Sequence, residues 1–281
     1  MRRQAAIWAV RPFTRPTRES VDYLAEDWDN LLILDACRYD TLARRWAVDQ
    51  PIRRVHSNAS HTREFLAKNF GDGSYPDIVY VTATPQLTVC PAAFAHVEHV
   101  WQHGWDPVSN TVLPETMVES ALQVHEQFPE KRLIVHFMQP HYPFIGETGS
   151  QITDQASYEL TQHQTTVWEK LQLGLVDRET VIRAYEENLD IALPAVSNLV
   201  ESLDGKTVVT SDHGNLFGKR VCWLPVKLYG HPLGVHDPEL TAVPWVEFPA
   251  VERRTITAGA TKRQQAEPTV VADRLCDLGY V

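Results

Sequence analysis

The chain has 281 residues, of which 43% are hydrophobic, so it is long enough for one α/β domain with a substantial core. Its formal charge of −10, without a basic block that would follow a nucleic-acid backbone, argues against a nucleic-acid partner. The four cysteines are too scattered for a disulfide framework or a zinc knuckle, and no apolar stretch is long enough for a membrane helix. We therefore expect a cytoplasmic protein with reduced thiols and no membrane span.

Short β-branched runs alternate with longer amphipathic segments, and this pattern predicts an α/β fold with a mainly parallel central sheet and helices on both faces. The predicted strands are Asn30–Leu34, Arg53–His56, Ile78–Thr82, Leu133–Met138, Thr207–Thr210 and Val243–Phe248. The predicted helices are Pro114–Gln127 and Arg178–Leu203, where apolar residues recur at three- and four-residue spacing.

Three regions follow from this pattern. Residues 1–27 form an N-terminal extension, and 28–250 form the catalytic domain, in which the polar segment 145–177 is a cap or loop insertion. Residues 251–281 form a weakly ordered tail with a short final helix that ends at 278–280 and belongs to the same domain.

The first predicted strand ends abruptly at a carboxylate, Asp35. Open α/β sheets bind ligands just beyond the carboxyl ends of their strands, so Asp35 is placed for a site. A cap for the following helix is an equally good interpretation, because Asp is a favoured capping residue.

The second predicted strand runs into a hydroxyl-rich turn and then a helix, with Ser60 and Thr62 at the junction. A helix N-terminus offers unpaired N–H groups and the positive end of a dipole, which can bind an anionic ester and stabilise an alkoxide. One of the two hydroxyls is expected to cap the helix, which leaves the other for chemistry.

The strand Leu133–Met138 contains one histidine, and another follows in its exit loop. A histidine inside an apolar strand is usually a core residue, and we interpret His136 in that way. His141 lies between Pro140 and Pro143, whose fixed φ angles stiffen the loop, so His141 is the better candidate for contact with a substrate anion.

The strand Thr207–Thr210 ends in Asp212 and His213, followed by Gly214, which permits a sharp turn. A carboxylate beside an imidazole suits Mn, Zn, Mg or Ca, although both residues are also common in turns and caps. Together with Asp35 they make a second strand-end site, and we expect all three to hold one divalent metal ion.

Four segments, in this order and at this spacing, resemble the alkaline phosphatase superfamily and in particular its sulfatase-like branch. They are LDACRYD (34–40), HFMQPHYPF (136–144), YEENLD (185–190) and SDHG (211–214). The closing VPW (243–245) and LGY (278–280) are also similar, so the resemblance covers residues 28–281.

The resemblance implies that Asp35, Asp212 and His213 are metal ligands and that a hydroxyl at the start of the helix is the nucleophile. Similarity to lipoteichoic acid synthase-like members points to Ser60, which we favour slightly, whereas similarity to members with Ser-Trp-Thr points to Thr62. By the same resemblance His231 binds the substrate anion or completes the metal shell, and His236 is a weaker substitute.

The chain departs from true sulfatases, because SHTRE (60–64) replaces the Cys-x-Pro-Ser-Arg motif from which formylglycine is made. We therefore expect a metal-dependent hydrolase of phosphate or sulfate esters, in which His141, His231 and Arg63 offset charge on the transferred group. The substrate is a small-molecule, lipid-linked or glycan ester. The alternatives are a phosphoalcohol transferase or phosphodiesterase on the same site, and a non-catalytic anion- or glycan-binding protein with this fold.

Overall fold

The computed structural model describes residues 2–15, 19–156, 166–263 and 268–278. The strands are β1 Asn30–Leu34, β2 Arg53–His56, β3 Ser74–Thr82, β4 Ala93–His99, β5 Trp105–Asp106, β6 Thr111–Val112, β7 Arg132–Phe137, β8 Thr207–Thr210, β9 Leu216–Arg220, β10 Lys227–Gly230, β11 Ala242–Phe248 and β12 Lys262–Arg263. The helices are α1 Arg2–Val10, α2 Tyr39–Arg45, α3 Thr62–Asn69, α4 Val100–His103, α5 Pro114–Gln127, α6 Glu147–Ala156, α7 Val167–Leu173, α8 Arg178–Ser202, α9 Pro238–Thr241 and α10 Pro268–Asp277, with 3-10 turns at Arg11–Phe13 and Pro85–Val89.

Eight strands form one sheet in the order β12-β4-β3-β7-β1-β8-β11-β2. The five strands from β4 to β8 in this order are parallel, whereas β11 is antiparallel to both of its neighbours and β12 pairs antiparallel with β4. The predicted mainly parallel sheet is confirmed. Its continuous apolar strands follow from the burial of both faces, and the five residues of β1 are all buried.

Alternating side chains of the central strands divide the core between the two faces. Leu32 and Leu34 pack with residues of α5 and α8, such as Met117 and Leu193. Leu31 and Ile33 pack on the other face with Phe65 and Leu66 of α3 and with Tyr23 and Trp28, which precede β1. Helices therefore cover both faces of the sheet, as predicted.

Three predicted strands and the helix Pro114–Gln127 have the predicted bounds, and the other elements differ only at their ends. The sequence pattern missed helix α1, strand β4 and the hairpin β9-β10. Within 145–177, α6 packs on α8 and α7 contacts β10, while 157–165 lie outside the described residues, as do Gly279 and Tyr280 of the predicted final helix. Across the described ranges, no helix is both long and apolar enough to cross a membrane.

The topology brings four chain segments to one edge of the sheet. β7, β1 and β8 are parallel neighbours, and β2 runs in the same direction, because both β2 and β8 oppose β11. Their carboxyl ends therefore meet at the same edge. Asp35, the loop after β7, Asp212 and the segment 57–62 all follow these ends, which positions the candidate site.

Candidate active site

Asp212 is fully buried beyond β8, and its two carboxylate oxygens differ in their surroundings. Oδ1 accepts backbone N–H groups from Ala36 at 3.0 Å and from His213 at 2.8 Å. Oδ2 has no hydrogen-bond partner among the described residues. One oxygen is thus anchored, and the other is left facing Asp35 and His213.

Asp35 is also fully buried, at the end of the adjacent strand β1. Its carboxylate lies beside that of Asp212, and Asp35 Oδ1 is 3.7 Å from His213 Nε2. The turn after Asp35 is left-handed at Ala36, with φ 59°, a conformation that costs free energy for any residue with a Cβ. Tyr185 holds this turn, because its hydroxyl donates to Ala36 O at 2.8 Å and accepts from Arg38 N at 2.9 Å.

Thr62 is the hydroxyl residue that reaches Asp35 and His213. Its Oγ1 lies 3.4 Å from both carboxylate oxygens of Asp35 and 3.1 Å from His213 Nε2. The residue is fully buried and is the first of helix α3, so the positive end of the helix dipole favours an alkoxide at this position.

His213 has its tautomer set by the backbone. Its Nδ1 is 2.9 Å from the carbonyl oxygen of Gly214, and a carbonyl only accepts, so Nδ1 carries the proton. Burial lowers the pKa of His213 to about 4, which keeps the ring neutral near pH 7. The Nε2 lone pair therefore faces Thr62 Oγ1 and Asp212 Oδ2, which lie 3.1 Å and 3.3 Å away.

His136 completes the same cluster, although the sequence pattern indicated a core histidine. It is fully buried in β7, and its Nδ1 is 2.9 Å from the hydroxyl of Tyr80. Its Nε2 has no hydrogen-bond partner among the described residues and lies 3.9 Å from Asp212 Oδ2. Burial lowers the pKa of His136 to about 4, so the ring is neutral near pH 7, and Nε2 offers a lone pair in the tautomer whose Nδ1 donates to the Tyr80 hydroxyl.

A divalent cation fits these donors. Ligand atoms of Asp35, His136 and Asp212 all lie within 4.8 Å of one another, and His213 Nε2 lies within 3.7 Å of oxygens of both carboxylates. Carboxylate oxygens and neutral imidazoles suit Zn or Mn. Burying carboxylates without countercharge costs several kcal/mol, as an order of magnitude, and the unpartnered Asp212 Oδ2 and His136 Nε2 are the atoms that a cation would satisfy.

Ser60, the other predicted nucleophile, lies elsewhere in the hydrogen-bond network. Its Oγ is 2.9 Å from Glu64 Oε2 and 3.2 Å from Pro232 O, and it accepts the N–H of Gly234 at 2.9 Å. These bonds tie the start of α3 to the loop after β10.

Two further residues singled out from the sequence also lie apart from the carboxylates. His236 Nε2 is 3.0 Å from Glu64 Oε1, in an ion-pair geometry, and the side chain of Arg63 is exposed. Neither position brings a side chain into the cluster of Asp35, Asp212 and His213.

His141 and His231 face each other beside the cluster, with their Nε2 atoms 3.3 Å apart. His141 Nδ1 donates to Tyr142 O, and His231 Nδ1 is 3.0 Å from Asn215 Oδ1. The rings of His231 and His213 are stacked with centroids 4.8 Å apart, so the pair adjoins the cluster.

The structure thus brings together Asp35, Asp212, His213 and Thr62, with His141 and His231 beside them. It adds His136, for which the sequence contained one signal, namely a titratable residue near the carboxyl end of a strand, directly after the apolar residues 133–135. The signal could not be interpreted without the order of the strands. In the structure β7 lies next to β1, and His136 pairs with Ile33, two residues before Asp35.

Solved structures of other proteins share the fold of this chain. No family model matches the sequence, and no curated protein matches it. The soluble domain of lipooligosaccharide phosphoethanolamine transferase A from Neisseria meningitidis superposes with a TM-score of 0.51 at 13% identity, covering 79% of this chain and 76% of that one. A 2-O GAG sulfatase superposes with a TM-score of 0.53 at 11% identity, covering 78% of this chain and 63% of the sulfatase.

The chain has the alkaline phosphatase and sulfatase-like fold, as the sequence resemblance implied. At these identities the likeness concerns the fold. The periplasmic domain of phosphoethanolamine transferase EptC from Campylobacter jejuni is a further match, with a TM-score of 0.49 at 12% identity over 83% of each chain. The predicted cytoplasmic location finds no support among these matches.

Metal uptake tests the cluster directly. After chelation, we expect the protein to bind added Zn²⁺ or Mn²⁺ and to gain about 2.7 kcal/mol of stability when the free metal is at 100 times its Kd. Asp212→Asn should abolish the uptake, measured by calorimetry and elemental analysis, because it removes an unpaired carboxylate oxygen. Asp49→Asn, at an exposed position, is the matched control. Absence of uptake by the unmodified protein would contradict the assignment.

The pH dependence of the metal-free protein tests the buried histidines. Burial lowers the pKa of His136 and His213 to about 4 and that of His141 to about 3. The unfolded chain protonates these residues near a pKa of about 6.5, so stability is lost as pH falls from about 6.5 towards 4. The urea midpoint should therefore drop between pH 7 and pH 5, and His213→Gln should reduce the slope. A midpoint that stays constant over this range would refute the expectation.

Proposed function

We propose that the chain is a metal-dependent enzyme that cleaves phosphate esters and that Thr62 is its nucleophile. The observation that carries the proposal is the position of Thr62 Oγ1, 3.4 Å from both oxygens of Asp35 and 3.1 Å from His213 Nε2. A hydroxyl among buried carboxylates, neutral imidazoles and a helix N-terminus has the surroundings of an activated nucleophile. This position favours Thr62 over Ser60, whose hydroxyl is engaged by Glu64, Pro232 and Gly234.

Asp35, Asp212 and one or both of His136 and His213 would hold the cation. A bound divalent cation would lower the pKa of the Thr62 hydroxyl and offset negative charge on the phosphoryl group. The rest of the chemistry belongs to the side chains. Thr62 Oγ1 loses its proton to the Asp35 oxygen that does not hold the cation and forms a bond to phosphorus. The bond from phosphorus to the alcohol oxygen breaks, and the alcohol oxygen takes up a proton as it leaves. Attack by water on the resulting phosphothreonine then restores the hydroxyl.

His141 and His231 bind the anionic oxygens of the ester. Their Nε2 atoms are 3.3 Å apart, so an ester oxygen that binds one ring lies close to the other. Asn188 fixes this side of the site, because its Nδ2 donates to His141 O at 2.9 Å and its Oδ1 accepts from Ile145 N at 3.0 Å. Arg63, exposed on the first turn of α3, would contribute only long-range positive charge.

Phosphate is favoured over sulfate because SHTRE (60–64) stands in place of the Cys-x-Pro-Ser-Arg motif of formylglycine sulfatases. Transfer of a phosphoalcohol to an acceptor hydroxyl is the second candidate. It is favoured by the shared fold with a phosphoethanolamine transferase domain, of which the chain covers 76%. Both reactions pass through a covalent adduct on Thr62, which is a phosphothreonine when a monoester is cleaved and a phosphodiester when a phosphoalcohol is transferred. In the second step water attacks the adduct in a hydrolase, and an acceptor hydroxyl attacks it in a transferase.

Substitution of the two hydroxyls separates their roles. Thr62→Ala should lower turnover of aryl phosphates by about a thousandfold or more, because it removes the attacking atom. Ser60→Ala should retain most turnover but lose about 1–3 kcal/mol of stability, because a buried hydroxyl loses its hydrogen bonds. Steady-state kinetics and urea unfolding measure the two effects. Full activity in Thr62→Ala with loss in Ser60→Ala would reverse the assignment.

Trapping and acceptor experiments separate the candidate reactions. Rapid acid quench during turnover should leave a phosphoryl or phosphodiester adduct on Thr62, detected by mass spectrometry of the peptide. Added acceptor alcohols should divert product from the hydrolysed form in proportion to their concentration if the enzyme is a transferase, and should leave it unchanged if it is a hydrolase. A protein that binds metal but forms no adduct and turns over no phosphate or sulfate ester would be a non-catalytic binding protein.

A further inference from the structure

Three large aromatic side chains are exposed around the N-terminal helix and the tip of the β9-β10 hairpin. Trp8 is 68% exposed, Phe13 56% and Trp223 77%. Phe13 and Trp223 meet edge to face with ring centroids 5.9 Å apart, and the Arg11 guanidinium lies 5.7 Å from the centre of a Trp8 ring. We call these three residues the aromatic surface.

The aromatic surface is supported by its own small core. Val10 and Ala6 of α1 pack in one cluster with Leu228 of β10 and with Val221 and Leu224 of the hairpin tip. The buried face of α1 therefore packs on the hairpin. The aromatic side chains point away from this cluster into solvent, which is a costly arrangement unless another phase or molecule receives them.

Charge is segregated on the same segments. Residues 1–18 contain five arginines and no acidic residue, and 213–236 contain Lys219, Arg220 and Lys227 with no acidic residue, in a chain with 36 acidic against 26 basic residues. The side chains of Arg15, Arg220 and Lys227 are exposed. The aromatic surface is thus bordered by cations in an otherwise acidic protein.

The aromatic surface is joined to the wall of the candidate active site. Arg11 packs against Gly234, where it occupies the space that a Cβ would need. Gly234 N donates to Ser60 Oγ, and Pro232, which follows His231, accepts from the same hydroxyl. A groove between α1 and β10 is lined by Ala5, Ala6, Ala9, Val226, Tyr229 and Pro232, so α1 borders this wall at Pro232.

We propose that the aromatic surface docks the protein on an anionic lipid bilayer, with the candidate site facing the membrane plane. Tryptophan at the headgroup level with arginine beside it is the usual composition of an interfacial anchor. Each basic residue near an anionic surface contributes about 1 kcal/mol, so the cations beside the aromatic surface favour its approach to anionic headgroups. A symmetric contact with a second copy would instead place these cations against each other.

Vesicle sedimentation with the full chain tests the docking. The unmodified protein should pellet with vesicles made of equal parts of phosphatidylglycerol and phosphatidylcholine, and binding to phosphatidylcholine alone should be about tenfold or more weaker. The triple variant Trp8→Ala, Phe13→Ala and Trp223→Ala should lose anionic binding by about tenfold or more. The double variant Arg15→Glu and Arg220→Glu should lose it similarly, and added salt should weaken binding of the unmodified protein.

Matched controls carry the same changes elsewhere. Val108→Ala with Val251→Ala removes exposed apolar groups, and Arg54→Glu with Arg263→Glu reverses two exposed charges on edge strands β2 and β12; both should bind as the unmodified protein does. Thermal unfolding checks that each variant folds. Thr62→Ala should bind vesicles as the unmodified protein does, so the docking can be tested even if the proposed chemistry is wrong.

Three results would overturn the docking. They are equal binding to anionic and neutral vesicles, unchanged binding by the triple variant, and a dimer in ultracentrifugation that this variant abolishes while no vesicle binding occurs. The last result would assign the aromatic surface to a second copy of the chain.

Discussion

The burial of two carboxylates side by side is the constraint on which the site depends. Asp35 and Asp212 end adjacent parallel strands, both are fully buried, and water cannot reach them to compensate their charge. An uncompensated buried carboxylate costs several kcal/mol, as an order of magnitude. Asp212 Oδ1 accepts two backbone N–H groups, whereas Oδ2 has no hydrogen-bond partner among the described residues. A bound cation would offset the negative charge of the two carboxylates, and the proposed role of the nearby Thr62 hydroxyl depends on it.

The surrounding structure holds this arrangement in place. The left-handed Ala36 aims Asp35, and Tyr185 bridges Ala36 O and Arg38 N across that turn. The Arg38 guanidinium then bonds Asp40, Glu239 and Asn215 O, which joins the first strand-end loop to the segment after β8. Asp40 and Glu239 hold the pKa of Arg38 above its ordinary value despite burial. Strain at one residue is thus supported by a charge network that keeps the two carboxylates at a fixed separation.

The sequence pattern predicted an element correctly where its signal lies within a few consecutive residues. β1 and β8 were predicted with their observed bounds, because a buried apolar run that stops at a carboxylate is readable without knowledge of the neighbours. The sequence could not decide whether Ser60 or Thr62 is the candidate nucleophile, because that depends on where α3 begins and on which hydroxyl faces Asp35. The sequence also did not indicate that His136 belongs to the site, because its surroundings are formed by β1 and β3, which lie on either side of β7. Helix α1 and the β9-β10 hairpin stabilise each other, so neither had a strong pattern alone.

The distribution of charge resolves a difficulty that the net charge of −10 raises for an enzyme of anionic esters. A uniformly acidic surface would repel the substrate from a site that itself contains carboxylates. Basic residues without acidic ones occur instead in 1–18 and 213–236, and Arg11 packs against Gly234, whose N–H bonds Ser60. These cations would favour the approach of an anion from this side. An ester presented from a plane of negatively charged headgroups would meet the cations first, then the paired imidazoles of His141 and His231, and finally the hydroxyl of Thr62.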